Sequence, residues 1–251
     1  MTTFPAPDLI LIRRLMLTFL VVGLAIPSLS QAQSTLAGWD FSGLSGYGAS
    51  PLTPTSSNSN VTVVGLTRGN GVATTGTSAA NAWGGAAWAG QTDFSSASAA
   101  GATAAFSVTA NVGYVTSLAS VSAYNVRRSA NGPTTGQWQY RIGGGDFINI
   151  GSPLTWGSTT SSGGNAQAAI SLSGITALQN VPAGSVIEFR IVNYGGTTGT
   201  WYLNNFQTGN DFILLGTVSS ASLDAPVIDS PTTGNGTAYE AFSYQITASS
   251  N

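Results

Sequence analysis

The sequence predicts an all-β protein built as an antiparallel, jelly-roll-like β-sandwich. Three observations point there. Short segments alternate apolar and polar residues with a period of two. Gly-rich turns separate them, and no window carries a sustained 3.6-residue period on good helix formers. Six Trp, ten Phe and eight Tyr supply far more aromatic area than a solvated chain would carry.

The segments follow in order. Asn60–Leu66 is β-branched and ends at a turn, Arg68-Gly69-Asn70-Gly71, which lacks the Lys and following helix of a phosphate loop. Ala104–Ala110 places Phe106 and Val108 on one face, and Ser107 and Thr109 on the other. Gln137–Ile142 points Trp138, Tyr140 and Ile142 one way. Gly143-Gly144-Gly145-Asp146 then turns the chain, and Phe147–Ile150 returns as a hairpin. Ser185–Tyr194 sets Ile187, Phe189 and Ile191 against Glu188 and Arg190. Thr200–Gln207 and Phe212–Val218 close the set. About nine or ten strands suit a jelly roll better than a seven-stranded Ig domain. Ser45–Asn60 and Thr155–Asn165 read as long surface loops, and Ser171–Val181 holds at most one helical turn.

The ends differ in composition. Residues 1–32 read as a signal peptide: Arg13 and Arg14, a twelve-residue run from Leu15 to Ile26, Pro27, and a small-x-small site at Ser30-Gln31-Ala32. That run is shorter than the about 20 residues a membrane span needs. The flanks of Arg13-Arg14 fit a twin-arginine signal poorly, and the alternative to cleavage is a retained N-terminal anchor. Residues 33–218 form the sandwich, 219–225 a linker, and 226–251 a second unit.

The chemical inventory is narrow. The chain has no His, no Cys and no Lys. A Ser-His-Asp or Cys-His device is therefore excluded, and so are zinc sites built on His or Cys. Beyond the leader, five arginines face eight acidic residues, a net charge of −3. No basic patch is available to neutralise phosphates, so nucleic acid and anionic lipid are not expected as partners. No second apolar stretch is long enough to span a membrane. Glycoside hydrolysis needs only two carboxyl groups, about 5–9.5 Å apart. Glu188 and an Asp on a neighbouring strand could supply them; the competing reading pairs Glu188 with Arg190 or with an arginine across the sheet. Arg127 or Arg141 is the expected partner in such a clasp, and an anion or acidic-sugar site is the alternative use of the arginines. Trp156, in its polar loop, and Trp88, among small residues, are the candidates for stacking a ligand, with Arg141 as the polar contact. The alternative for Trp156 is a loop anchor packed on the sandwich. Trp39, Trp138 and Trp201 read as core.

Two resemblances add to this. Pro226-Val227-Ile228-Asp229-Ser230-Pro231, followed by Ala241-Phe242-Ser243-Tyr244-Gln245-Ile246-Thr247-Ala248, resembles the opening two strands of the Ig-like modules of bacterial surface proteins. The match covers about a quarter of such a module, so the chain resembles a truncated fragment of a longer protein. That likeness implies the first strands of an Ig-like, cadherin-related sandwich, and with it calcium. The chain departs from the calcium pattern, having no D-x-D or D-x-N-D-N. No other cofactor is expected.

The main region is similar to a β-sandwich found near the N-terminus of exported bacterial proteins. Gly38-Trp39-Asp40-Phe41, Leu66-Thr67-Arg68-Gly69, Asn125-Val126-Arg127-Arg128-Ser129, Gly132-Pro133, Glu188-Phe189-Arg190 and Gly199–Phe206 carry the likeness. Relatives often read I-D-N where this chain has Leu203-Asn204-Asn205. The resemblance implies a secreted or cell-surface, noncatalytic module. Its role would be adhesive or structural, and a glycan or a surface protein its partner. The rival expectation is an accessory N-terminal domain of a secreted hydrolase whose catalytic part lies downstream.

Overall fold

Alternating burial along the strands builds the body of the protein. The structure, a computed structural model, describes residues 32–160, 162–221, 227–228 and 248–249. In chain order the strands of the body are β1 (Ser34–Trp39), β2 (Ser56–Ser57), β3 (Val61–Arg68), β4 (Ala82–Ala86), β5 (Thr103–Ala110), β6 (Tyr114–Val121), β7 (Tyr124–Arg128), β8 (Thr135–Ile142), β9 (Ile148–Thr155), β10 (Asn165–Gln167), β11 (Ile170–Ser171), β12 (Val181–Pro182), β13 (Ile187–Tyr194), β14 (Thr200–Asn204) and β15 (Phe212–Ser220). Each segment predicted from the period-two pattern is a strand here. β14 stops at Asn204, short of the expected Gln207, and β15 runs on to Ser220.

The pairings among these strands are antiparallel. One sheet has the order β3-β5-β13-β8-β9. A second has the order β11-β6-β15-β1-β2, with β12 also on β6; a third has β10-β7-β14-β4. The second and third run on into each other at their first two places, and their third places are the consecutive strands β15 and β14. β6 passes into β7 across Ser122-Ala123, and β10 into β11 across Ala168-Ala169. The Ser122 N–H, donated to Ile213 O at 2.9 Å, bridges the break.

The chain steps between layers at β2 to β3, β3 to β4, β4 to β5, β5 to β6, β7 to β8, β9 to β10, β12 to β13 and β13 to β14. Sheet neighbours are consequently often remote in sequence, as β1 and β15 are. That winding makes an antiparallel sandwich of the predicted class.

The core lies between the layers and is aromatic. Phe106 (β5) meets Trp39 (β1) edge-on at 5.4 Å and Phe212 (β15) at 5.7 Å. Trp138 (β8) stacks on Phe212 at 6.1 Å and donates its indole N–H to the Tyr124 hydroxyl at 3.0 Å. Phe189, Ile187 and Ile191 of β13 are all buried, as the alternation required. A side chain of this size contributes about 1.5–3 kcal/mol on burial, and these groups replace the disulfides the chain lacks.

The pattern hid two kinds of element. β4 (AWGGA) is buried along its whole length, so it shows no alternation. Its Gly84 is required by close approach: a Cβ there would lie 2.2 Å from Trp201 O. A helix, α1 (Phe94–Ala99), was not expected. Asp93 starts it by accepting the Ser96 N–H at 2.9 Å, and Gly101, at φ +71°, ends the turn that follows. The single turn expected in Ser171–Val181 is a 3-10 turn, Thr176–Leu178. The Ser45–Asn60 loop carries β2 and buries Tyr47.

Residues 1–31 of the signal segment lie outside the described residues, as do linker residues 222–225 and most of 226–251. Val227–Ile228 (β16) and Ala248–Ser249 (β17) form an antiparallel pair.

Candidate functional site

The outward face of the β3-β5-β13-β8-β9 sheet gathers the polar side chains that the sequence singled out. Glu188 and Arg190 alternate with the buried residues of β13, and register sets Glu188 opposite Arg141 and Arg190 opposite Gln139. Arg141 donates from Nε and Nη2 to the same Glu188 oxygen, Oε2, at 2.8 and 2.7 Å. This is the predicted clasp, with Arg141 rather than Arg127 as the cation. Arg190 donates to Gln139 Oε1 at 2.8 Å and to Ser98 Oγ of α1 at 2.9 Å, and Gln139 donates to Asn149 Oδ1 at 2.8 Å. Phe147, the first residue after the turn, lies beneath both guanidiniums, 4.4 Å from Arg141 Cζ and 3.6 Å from Arg190 Cζ. Burial lowers the Arg190 pKa, the nearby Glu188 raises it, and Arg141 lowers it.

Beside this ladder is an open cavity of about 180 Å³, lined by Glu188, Ser107, Thr67 and Val64. It sits at the irregularity where β3 slips its register against β5 between Val64 and Thr67. Because both Arg141 bonds go to Oε2, the other Glu188 oxygen accepts nothing among the described residues. The cross-strand neighbours of Glu188 are Ser107 and Arg141, so register brings no second carboxyl group to it.

The two tryptophan candidates belong to the core instead. Trp156 is fully buried, packs against Trp201 at 5.4 Å and donates its N–H to Asn193 Oδ1 at 2.8 Å. Trp88 is 2% exposed, meets Trp201 edge-on at 5.0 Å and donates to Gly85 O at 2.9 Å. Neither offers the open ring face that a stacked sugar needs. All six tryptophans are buried. The polar loop around Trp156 suggested exposure, but the decisive residue is remote in sequence: at Gly136 a Cβ would lie 1.8 Å from Trp156 Cζ2. Only a glycine there lets the indole in.

Sequence reasoning did not place Gln139, Ser98 and Phe147 in this cluster; Arg190, the other partner weighed for Glu188, bonds Gln139 and Ser98 instead. Two-residue periodicity in β8 and β13, read together, would have put Gln139, Arg141, Glu188 and Arg190 on one face. Nothing local signals Ser98, which arrives through α1.

Arg68, Arg128, Asp40, Asp93 and Asp211 serve the fold. Arg128 is spent on backbone carbonyls, of Pro133 at 2.7 Å, Gly132 at 2.9 Å, and Ala130 and Gly157 at 3.2 Å. Arg68 binds the carbonyls of Gly84, Tyr47 and Gly48 and lies over Trp83. Buried Asp211 accepts the N–H groups of Phe41, Phe206 and Gln207. Bonds from Ser42 and Ser96 hold Asp40 and Asp93, respectively, below the usual carboxylate range.

Among the described residues, no group of three or more His, Cys, Asp or Glu is placed to hold a metal ion; the calcium expectation falls on residues 226–251, most of which lie outside the described residues. None of their helices is long and apolar enough to cross a membrane. Compared with protein-family models, with curated proteins and with solved structures, the chain has no match.

Proposed function

We propose that this protein is a noncatalytic extracellular or cell-surface module that works by contact, in an adhesive or structural role. A glycan is the partner that the chemistry of its polar face fits. One observation carries the reading. Asp40, Asp93 and Asp211 each hold backbone N–H groups of the fold, whereas Glu188 keeps one oxygen free beside an open cavity. A fixed carboxylate oxygen next to a fixed guanidinium can accept from and donate to neighbouring sugar hydroxyls. Bond-making would need a second acid or base, and the cross-strand positions beside Glu188 hold Ser107 and Arg141. The reading calls for no cofactor.

Calorimetric titration of the full chain with a panel of neutral and acidic oligosaccharides tests it, together with an assay for their turnover. Intrinsic fluorescence is a poor reporter here, since the indoles are buried. Saturable binding that Glu188→Gln weakens, with no turnover, supports the reading. Turnover that disappears on replacing one carboxylate ends it, and absence of binding to any glycan removes the glycan as partner.

A further inference from the structure

The outward face of the β10-β7-β14-β4 sheet carries a different polar cavity, of about 160 Å³. Arg127 of β7 and Tyr202 of β14 sit opposite one another in register and so project to the same side. Thr200, two residues before Tyr202, shares that side. Ser129 and Thr160 are also in the lining, with residues 77–79.

This lining is rich in donors and poor in acceptors. Among the described residues, Arg127 is the one guanidinium with no hydrogen-bond acceptor and no ion pair. Arg68 and Arg128 are taken up by carbonyls, Arg141 by Glu188, and Arg190 by Gln139 and Ser98. Ser129 Oγ accepts the Thr200 N–H at 2.8 Å, and the Tyr202 hydroxyl accepts the Ala79 N–H at 3.3 Å. Each therefore has its own O–H proton to offer. Thr160 Oγ1 is buried with no partner among the described residues. No carboxylate is present in the lining. A half-buried guanidinium among hydroxyl donors is left incomplete by the protein, and an oxyanion completes it.

We propose that this cavity binds the carboxylate of an acidic monosaccharide unit. A guanidinium matches a carboxylate in charge and in its fork of donors. The volume equals about five waters at about 30 Å³ each, room for a carboxylate and the ring atoms that carry it. The Ser129, Thr160 and Tyr202 hydroxyls can donate or accept, which suits the hydroxyls flanking a uronate carboxyl. The site lies on a different sheet from Glu188 and does not depend on glycan contact there.

The test is calorimetric titration of the full chain with sodium glucuronate at fixed ionic strength, beside glucuronamide, glucose, acetate and sulfate. Saturable binding of glucuronate is expected, with glucuronamide and glucose at least about tenfold weaker and acetate also weaker. Arg127→Gln should cost about tenfold or more and Tyr202→Phe severalfold, while Val112→Ser, at an exposed turn residue outside both cavities, leaves the affinity unchanged. Equal affinity for glucuronate and glucuronamide overturns the proposal, as does no saturation. Acetate or sulfate binding as tightly as glucuronate overturns the sugar assignment. If Arg127→Gln fails to melt cooperatively, Tyr202→Phe and the glucuronamide comparison on the unaltered chain decide.

Discussion

Asn193 Oδ1 accepts the indole N–H of Trp156 at 2.8 Å, with both side chains fully closed off from solvent. This bond ties the loop after β9 to the end of β13. Trp156→Phe would leave that oxygen unpartnered beside an Asn193 amide nitrogen that already has no partner. It would also open space against Trp201. The expected loss is about 2–4 kcal/mol, or roughly 5–15 °C in Tm for a body of this size. Thermal melts check it, and Gly136→Ala should destabilise as well, because the new methyl would occupy the indole's place. A Trp156→Phe melt within a degree of the parent would contradict the anchor role.

The Arg141–Glu188 clasp is about one-third exposed, 34% and 29% for the two side chains, so solvent screens it. Glu188→Gln weakens both arginine bonds and frees Arg141. The expected loss is about 0.5–1.5 kcal/mol, at the upper end for a surface pair because Phe147 holds the arginine in place. A double-mutant cycle with Arg141→Ala should return a coupling of about 0.5–1 kcal/mol. An unchanged midpoint for Glu188→Gln would show that the pair contributes nothing to stability.

How much of this was legible follows from what periodicity encodes. β5 and β13 alternate because one face is more deeply buried than the other, and β8 alternates in residue type although Gln137 and Gln139 are themselves buried, so their composition carries both placement and register partners. β4 is buried on both faces and built on Gly84 and Gly85, so it has no alternation to read. Trp156 shows the limit most clearly. Its neighbours in sequence are polar, and its burial is decided by Gly136 and Asn193, each a strand away. Arg127 and Arg128 are adjacent and identical in type, yet β7 turns one toward backbone carbonyls and the other toward an open cavity; no local pattern distinguishes them. The Arg141–Glu188 pair was legible because both partners sit on strongly alternating strands.

Asp211 was not singled out by the sequence, and it ties together two distant segments. It is fully buried, and its Oδ2 accepts the Phe41 N–H at 2.8 Å while Oδ1 accepts those of Phe206 and Gln207 at 2.9 and 3.2 Å. The exit of β1 and the turn between β14 and β15 are thus joined through one carboxylate. Asp211→Ala strands three backbone donors, one of them, at Phe41, buried. A loss of about 3 kcal/mol or more is expected, with Asp211→Asn losing less because one carbonyl oxygen survives. Urea denaturation with a constant m-value would measure it. A shift below about 0.5 kcal/mol for the alanine variant would mean that water replaces the carboxylate.

Stability against pH should fall at both ends, for different reasons. Asp40 and Asp93 have lowered folded pKa values, through bonds from Ser42 and Ser96. Their contribution is present above the unfolded value of about 3.9 and is lost as pH falls through the folded values. At the alkaline end, burial raises the Tyr124 phenol, a shift only partly opposed by its bond from Trp138. The folded phenol stays protonated while the unfolded one ionises from about pH 10. Its contribution is therefore complete below pH 10 and is lost as pH rises toward the folded value. Tyr124→Phe should lower Tm at pH 7, since the buried Trp138 N–H loses its acceptor. The same variant should flatten the decline between pH 10 and 12, leaving the smaller part that comes from Tyr194 and Tyr202, which burial also raises. Melting curves of parent and variant at half-unit intervals from pH 7 to 12 give the comparison. Parallel declines above pH 10 would show that Tyr124 does not govern alkaline unfolding.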